Sequence, residues 1–91
     1  MEFEWNTEKA EANLKKHEVS FDEAKTVFKD PLFVIFVDPD HSVEENRFII
    51  MGESNQNRLL VVSFTGRPPK TRLISARKAT RVERRKYEED I

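Results

Sequence analysis

The sequence has no cysteine, and only two glycines and four prolines among 91 residues. Without cysteine there is no disulfide framework and no thiolate chemistry, so a reducing, cytoplasmic setting is expected. So few glycines leave no Gly-rich phosphate loop, and neither a Walker pattern nor a serine nucleophile elbow occurs. No run of about 18 apolar residues is present. The acidic start Met1-Glu2-Phe3-Glu4 does not read as a signal peptide, so no membrane association is expected. Two histidines and scattered acids lack metal-ligand spacing, and no metal or other cofactor is expected. His41, in Asp38-Pro39-Asp40-His41 near Glu44 and Glu45, reads as a turn residue. The length fits a single domain over residues 1–91 with a modest core.

What is present is charge, and it is segregated. The formal net charge of −1 hides a stretch, residues 67–86, with nine Lys/Arg and one acid, Glu83. The remainder carries seven bases and sixteen acids. Such separation creates a local field suited to a polyanion. The plainer alternative is a solvated helix with internal ion pairs.

The pattern predicts the element order β-α-α-β-β-β-β-α. Phe3-Glu4-Trp5 reads as a short strand. Asn6 caps a helix over Thr7 to His17 that lacks Gly and Pro. Ser20-Phe21-Asp22-Glu23 is a capping box opening a helix through Phe28, stopped by Asp30-Pro31. Leu32 to Val37, Arg47 to Gly52 and Arg58 to Thr65 read as strands. A last strand carries Leu73, Ile74 and Ala76 and ends at Arg77. A second capping box, Thr80-Arg81-Val82-Glu83, opens the final helix, whose apolar residues before Ile91 are Val82 and Tyr87. Short turns imply a mainly antiparallel meander with helices on one face, an α+β two-layer domain. The strand phenylalanines are expected in the core. Trp5, beside a polar helix face, is left open as a base-stacking residue.

Arg72, Arg77, Lys78, Arg81, Arg84, Arg85 and Lys86 crowd the last strand–helix junction. Guanidinium groups and free helix N–H groups aimed at one place would hold phosphate. Arg77 and Arg81 are the first candidates, with Arg67 from the preceding loop as third. Alternatively, Arg77 pairs with an acid of the N-terminal half. A second constellation is the stripe Lys9, Asn13, Lys16 and His17, on one helix face. His17 suits proton transfer, because imidazole exchanges protons near working pH. It could equally serve the last carbonyls of its helix. Lys9 could share the phosphate or act as a base, or be plain solvated surface. Asn13 could orient either. Arg72, Lys78, Arg84 and Lys16 complete the candidate substrate contacts. Glu83 reads as the capping carboxylate.

Several blocks resemble the BrnT toxins of bacterial type II toxin–antitoxin systems. These are Trp5-Asn6 followed by Lys9-x-x-x-Asn13-x-x-Lys16-His17; Ser20-Phe21-x-Glu23-Ala24; Asp30-Pro31; His41-Ser42-x-x-Glu45-x-Arg47-Phe48; Gly52; Leu60-Val61-Val62; and Ile74-Ser75-Ala76-Arg77-Lys78-Ala79-Thr80-x-x-Glu83-Arg84-x-x-Tyr87. The resemblance implies a RelE-like fold and a metal-independent endoribonuclease. It also implies inhibition by a BrnA-type antitoxin, through which the pair would bind operator DNA. Such sequences often show Thr-Glu-Arg where this chain has Thr65-Gly66-Arg67; if that acid takes part in the chemistry of relatives, its absence would weaken activity here. The alternative is a binding module of the same fold that grips nucleic acid or protein without turnover.

Overall fold

A computed structural model describes residues 1–39 and 46–89. Strand β1 (Glu2–Glu4) leads into helix α1 (Thr7–His17). Asn6 caps α1 as its sequence indicates, its Oδ1 accepting the Lys9 N–H at 3.0 Å. Glu8 in the first turn and Lys15, Lys16 and His17 in the last complement the helix dipole. The helix stops at Glu18, which adopts a left-handed φ of 58°. Helix α2 (Phe21–Ala24) follows and tightens into a 3-10 turn, Lys25–Lys29. Only half of the expected capping box forms there. The Ser20 Oγ accepts the Glu23 N–H at 3.0 Å. The Glu23 carboxylate, however, turns inward to Ser54 and Arg58.

Strands β2 (Val34–Val37), β3 (Arg47–Glu53), β4 (Leu59–Arg67) and β5 (Lys70–Lys78) precede helix α3 (Arg81–Glu89). The sheet order is β1-β5-β4-β3-β2. Antiparallel ladders join β2 to β3, β3 to β4 and β4 to β5, while β1 pairs parallel with β5, so the sheet is mixed. The turn expected at Asp38 to His41 runs into residues 40–45, outside the described ones. His41, Glu44 and Glu45 lie there too.

The helices do not all cover one face, which corrects the two-layer expectation. Alternation along β4 sends Leu60 and Val62 to a core with Val19, Phe21, Ala24, Val27, Ile50, Leu73 and Ala76. It sends Leu59 and Val61 to the opposite face, where they meet Met51 and the buried Tyr87 of α3. One aromatic, Tyr87, suffices to seat a helix otherwise rich in charge. Its hydroxyl donates to Asp30 Oδ2 at 2.5 Å.

On the α1/α2 face, Phe3, Phe28, Phe64 and Phe48 form a continuous line of ring contacts with centroids 5.0–5.6 Å apart. Trp5, half-buried, meets Phe21 edge-to-face and packs against the core. Phe33 and Phe36 depart from the core expectation. Both are exposed, because β2 is an edge strand.

Gly52 sits where β3 passes under α2 and the 3-10 turn. A Cβ there would lie 2.9 Å from Val27 Cγ1 and 3.1 Å from Asp30 Oδ2. Gly52→Ala is therefore expected to destabilise the fold by about 1–3 kcal/mol, the usual cost of overpacking. A denaturant titration checks it; an unchanged midpoint would mean the strand shifts freely.

Candidate functional site

The far edge of the sheet shows how α1 is positioned. β1 covers only the start of β5, pairing with Lys70 to Arg72. Beyond it, the Asn13 side chain takes the place of a strand. Its Nδ2 donates to the Ala76 and Val19 carbonyls, each at 2.9 Å, and its Oδ1 accepts the Ala76 N–H at 3.1 Å. Asn13 is buried and its amide is engaged on both sides. That corrects the expectation that it orients Lys9 or His17 and contacts substrate: it bolts α1 to β5. One turn earlier on the same stripe, Lys9 reaches the other side of the β5 edge.

There, Lys9, Arg47, Thr65, Gly66, Arg67, Arg72 and Ile74 line a cleft of about 330 Å³. Each strand contributes for a reason of register. Arg47 pairs with Thr65 across β3 and β4, and Thr65 with Arg72 across β4 and β5. Their side chains therefore rise in a row on one face. A bulge between Ser63 and Phe64 shifts the β4–β5 register just before this row. The Thr65 hydroxyl donates to the Asn46 carbonyl at 3.3 Å. Arg72 donates to Glu4 Oε2 at 2.8 Å, which fixes the guanidinium and brings one carboxylate to the margin. Four cationic side chains, Lys9, Arg47, Arg67 and Arg72, thus surround one small concave space, with the Glu4 carboxylate bound to Arg72 at its margin.

The strand–helix junction is built differently. Arg77 grips Glu83 with a two-pronged bond, 2.8 Å on each side. Glu83 in turn accepts the Thr80 N–H at 2.8 Å, and Thr80 Oγ1 accepts the Glu83 N–H at 3.2 Å, so the capping box forms in full. The Arg77 fork holds the Glu83 carboxyl down at about 2, against the opposing effect of burial. Arg77 is thus bound to an acid of the final helix rather than of the N-terminal half. Arg81 and Arg84 are exposed on α3 and do not line the cleft.

The sequence model for "Ribonuclease toxin, BrnT, of type II toxin-antitoxin system" matches residues 5–83. The chain belongs to the BrnT family. Among solved structures, the fold is similar to that of the Brucella abortus ribonuclease toxin BrnT. The TM-score is 0.70 at 21% identity, covering 89% of this chain and 99% of the Brucella one. No curated protein sequence matches. Membership makes this chain a toxin of a type II system, in a family described as ribonucleases, and implies RNA as target and an antitoxin as partner.

Seen as a BrnT toxin, the chain separates residues that its sequence suggests as one cluster. Lys9, Arg67 and Arg72 meet in the cleft. Arg77, Lys78 and Arg81 lie toward the other end of the sheet. Six positions along β4 part the register of Arg67 from that of Arg77, about 20 Å at 3.3 Å per residue. His17 is eight residues from Lys9 on α1, about 12 Å along the axis. His17 and Lys16 follow Asn13 on the stripe, toward Lys78, whose Nζ lies 3.8 Å from Glu18 Oε2. The convergence of guanidiniums at the junction therefore does not occur. Arg67 belongs to a different place from Arg77.

Arg47, Thr65 and Glu4 had no assigned role in the sequence. The Thr-Gly-Arg segment and a hairpin register could have found the first two. Glu4 is visible only through the parallel β1–β5 pairing. A Cβ at Gly66 would meet nothing within 4 Å, so the cleft has room for a side chain to start there. Among the described residues no three His, Cys, Asp or Glu are grouped to hold a metal ion. No helix among them is long and apolar enough to cross a membrane.

Proposed function

We propose that this BrnT toxin is a cytoplasmic, metal-independent endoribonuclease that cleaves RNA by attack of a 2′-hydroxyl on its own phosphate. The observation that carries it is the cleft of Lys9, Arg47, Arg67 and Arg72, whose cationic donor set suits a phosphate rather than a metal ion. As the O2′–P bond forms and the P–O5′ bond breaks, charge grows on the phosphoryl oxygens. Arg67 and Arg72 neutralise it. Glu4, at the margin, takes the proton from O2′, and the Lys9 ammonium supplies one to O5′. His17, Lys16 and Lys78 serve flanking phosphates along the β5 edge. Arg77 and Arg81 act through the final helix rather than on the reacting phosphate. The toxin is held inactive by a BrnA-type antitoxin, which supplies operator-DNA binding to the pair.

The test is incubation of the purified chain with single-stranded RNA in chelator. Fragments ending in 2′,3′-cyclic phosphate and 5′-hydroxyl are expected. Glycine at position 66 favours a second reading, a module that binds RNA without turnover. Salt-sensitive binding with no fragments would select it. Neither binding nor fragments would sink both.

A further inference from the structure

The opposite edge of the sheet is formed by β2. β2 is terminal in the sheet order, and no described strand pairs with its outer side. Its sequence, Val34-Ile35-Phe36-Val37, contains none of the usual edge protections: no lysine, no proline, no inward charge. Phe33, Ile35, Phe36 and Val37 are 43–55% exposed. Because the Asp38 N–H donates inward to the Arg47 carbonyl, alternation turns the backbone groups of Ile35 and Val37 outward. Beside the strand, Val34, Phe36 and Met51 floor a mostly apolar cleft of about 410 Å³ closed by Glu83 and Lys86 of α3. The first two turns of α3 are cationic. Arg81, Arg84, Arg85 and Lys86 are exposed, and the single acid there, Glu83, is bound by Arg77.

We propose that this edge is where the antitoxin docks, through a segment that adds to β2 as a sixth strand. That segment is apolar at alternate positions, filling the cleft, and acidic where it passes α3. The inference rests on the antitoxin partner implied by the family. The charge of α3 decides between occupants. A second copy pairing β2 with β2 about a two-fold normal to the sheet would set two cationic α3 helices side by side on one face, which like charges oppose. RNA would meet the cations but leave the apolar strand uncovered. A strand with acidic flanks satisfies the backbone edge, the apolar floor and the charge together.

The experiment uses the full-length product of the neighbouring antitoxin gene, titrated calorimetrically into the toxin, with hydrogen exchange followed on the complex. Protection is expected at the Ile35 and Val37 amides. Phe36→Asp, an exposed change that leaves the fold intact, should weaken binding at least 100-fold. The double variant Arg84→Glu/Arg85→Glu should weaken it about tenfold and flatten its salt dependence. Lys9→Ala and Arg67→Ala should leave affinity unchanged. Unaltered affinity in Phe36→Asp, or protection confined to the Lys9–Arg67 cleft, overturns the proposal. So does a wild-type dimer that Phe36→Asp splits into monomers, or loss of RNA binding in that variant. RNA cleavage by the free chain is read separately, so the enzymatic reading can stand where this one fails.

Discussion

Arg67→Ala is expected to lower the rate of RNA cleavage about 10²–10³-fold, the usual effect of removing one group aimed at transition-state charge. Arg67 lines the cleft from the end of β4 and is exposed, so nothing in the fold depends on it. Its loss should appear in kcat with an unchanged melting temperature. Lys9→Ala should cost a comparable factor, and the pair together less than the product, because residues acting on one phosphate are not additive. Arg77→Ala provides the contrast. Its guanidinium is occupied by Glu83, so the variant should loosen α3 while cleavage per folded molecule changes only a few-fold. A deep loss of rate in Arg77→Ala at unchanged stability would move the chemistry to the junction and retire the cleft.

Arg58→Ala is expected to destabilise the protein by about 3 kcal/mol, at the low end for breaking a buried ion pair because Arg58 is itself partly exposed. Arg58 ties three elements together. Its Nε donates to Glu23 Oε2 at 2.9 Å and Nη2 bonds Glu23 Oε1, while Nη2 also donates to the Glu18 carbonyl at 3.1 Å. Glu23 is 3% exposed, so removing the guanidinium leaves a buried carboxylate with the Ser54 hydroxyl, 2.7 Å away, and the more distant Lys78 charge.

The pH dependence of this loss has a definite sign. Arg58 holds the Glu23 carboxyl below its ordinary 4.5, with burial opposing and Ser54 assisting. A depressed carboxyl contributes stability above its unfolded value and loses it as pH falls through the folded one. In Arg58→Ala the depressing partner is gone and burial remains, so the defect should shrink below about pH 4.5. A defect constant from pH 7 to 3 would show that Arg58 acts by packing alone.

The same rule sets the acid limit of the wild type. Burial would raise Asp30, but N–H groups of Glu53 and Leu32 and the Tyr87 hydroxyl together bring it below 3.8. With Glu23 and with Glu83 at about 2, the contributions are intact above pH 4.5 and disappear toward 2. On the alkaline side, burial and the Asp30 carboxylate push Tyr87 up to about 12. Its contribution is full below pH 10 and is lost as pH rises through 12.

Local chemistry is legible in the chain. Asn6, Ser20 and Thr80 cap helices because a short side-chain oxygen meets free N–H groups within the same turn. Strand periodicity likewise marks the sheet, and the quoted blocks mark the family. Two local expectations fail where a distant partner competes: Glu23 leaves its own cap for Arg58, and Asn13 leaves its polar stripe for the β5 backbone. Burial makes those distant bonds worth more than solvated local ones.

By itself the sequence determined the α+β composition, the helix starts and the segregation of positive charge, all of which depend on neighbours a few residues apart. Only the tertiary structure decided which positive charges share a place. Strand register across β3, β4 and β5, and the side chain of Asn13 at the β5 edge, gather Lys9, Arg47, Arg67 and Arg72. The same register carries Arg77 away to Glu83. Register and order are set by long-range packing, and no spacing along the chain encodes which residue faces which across a sheet.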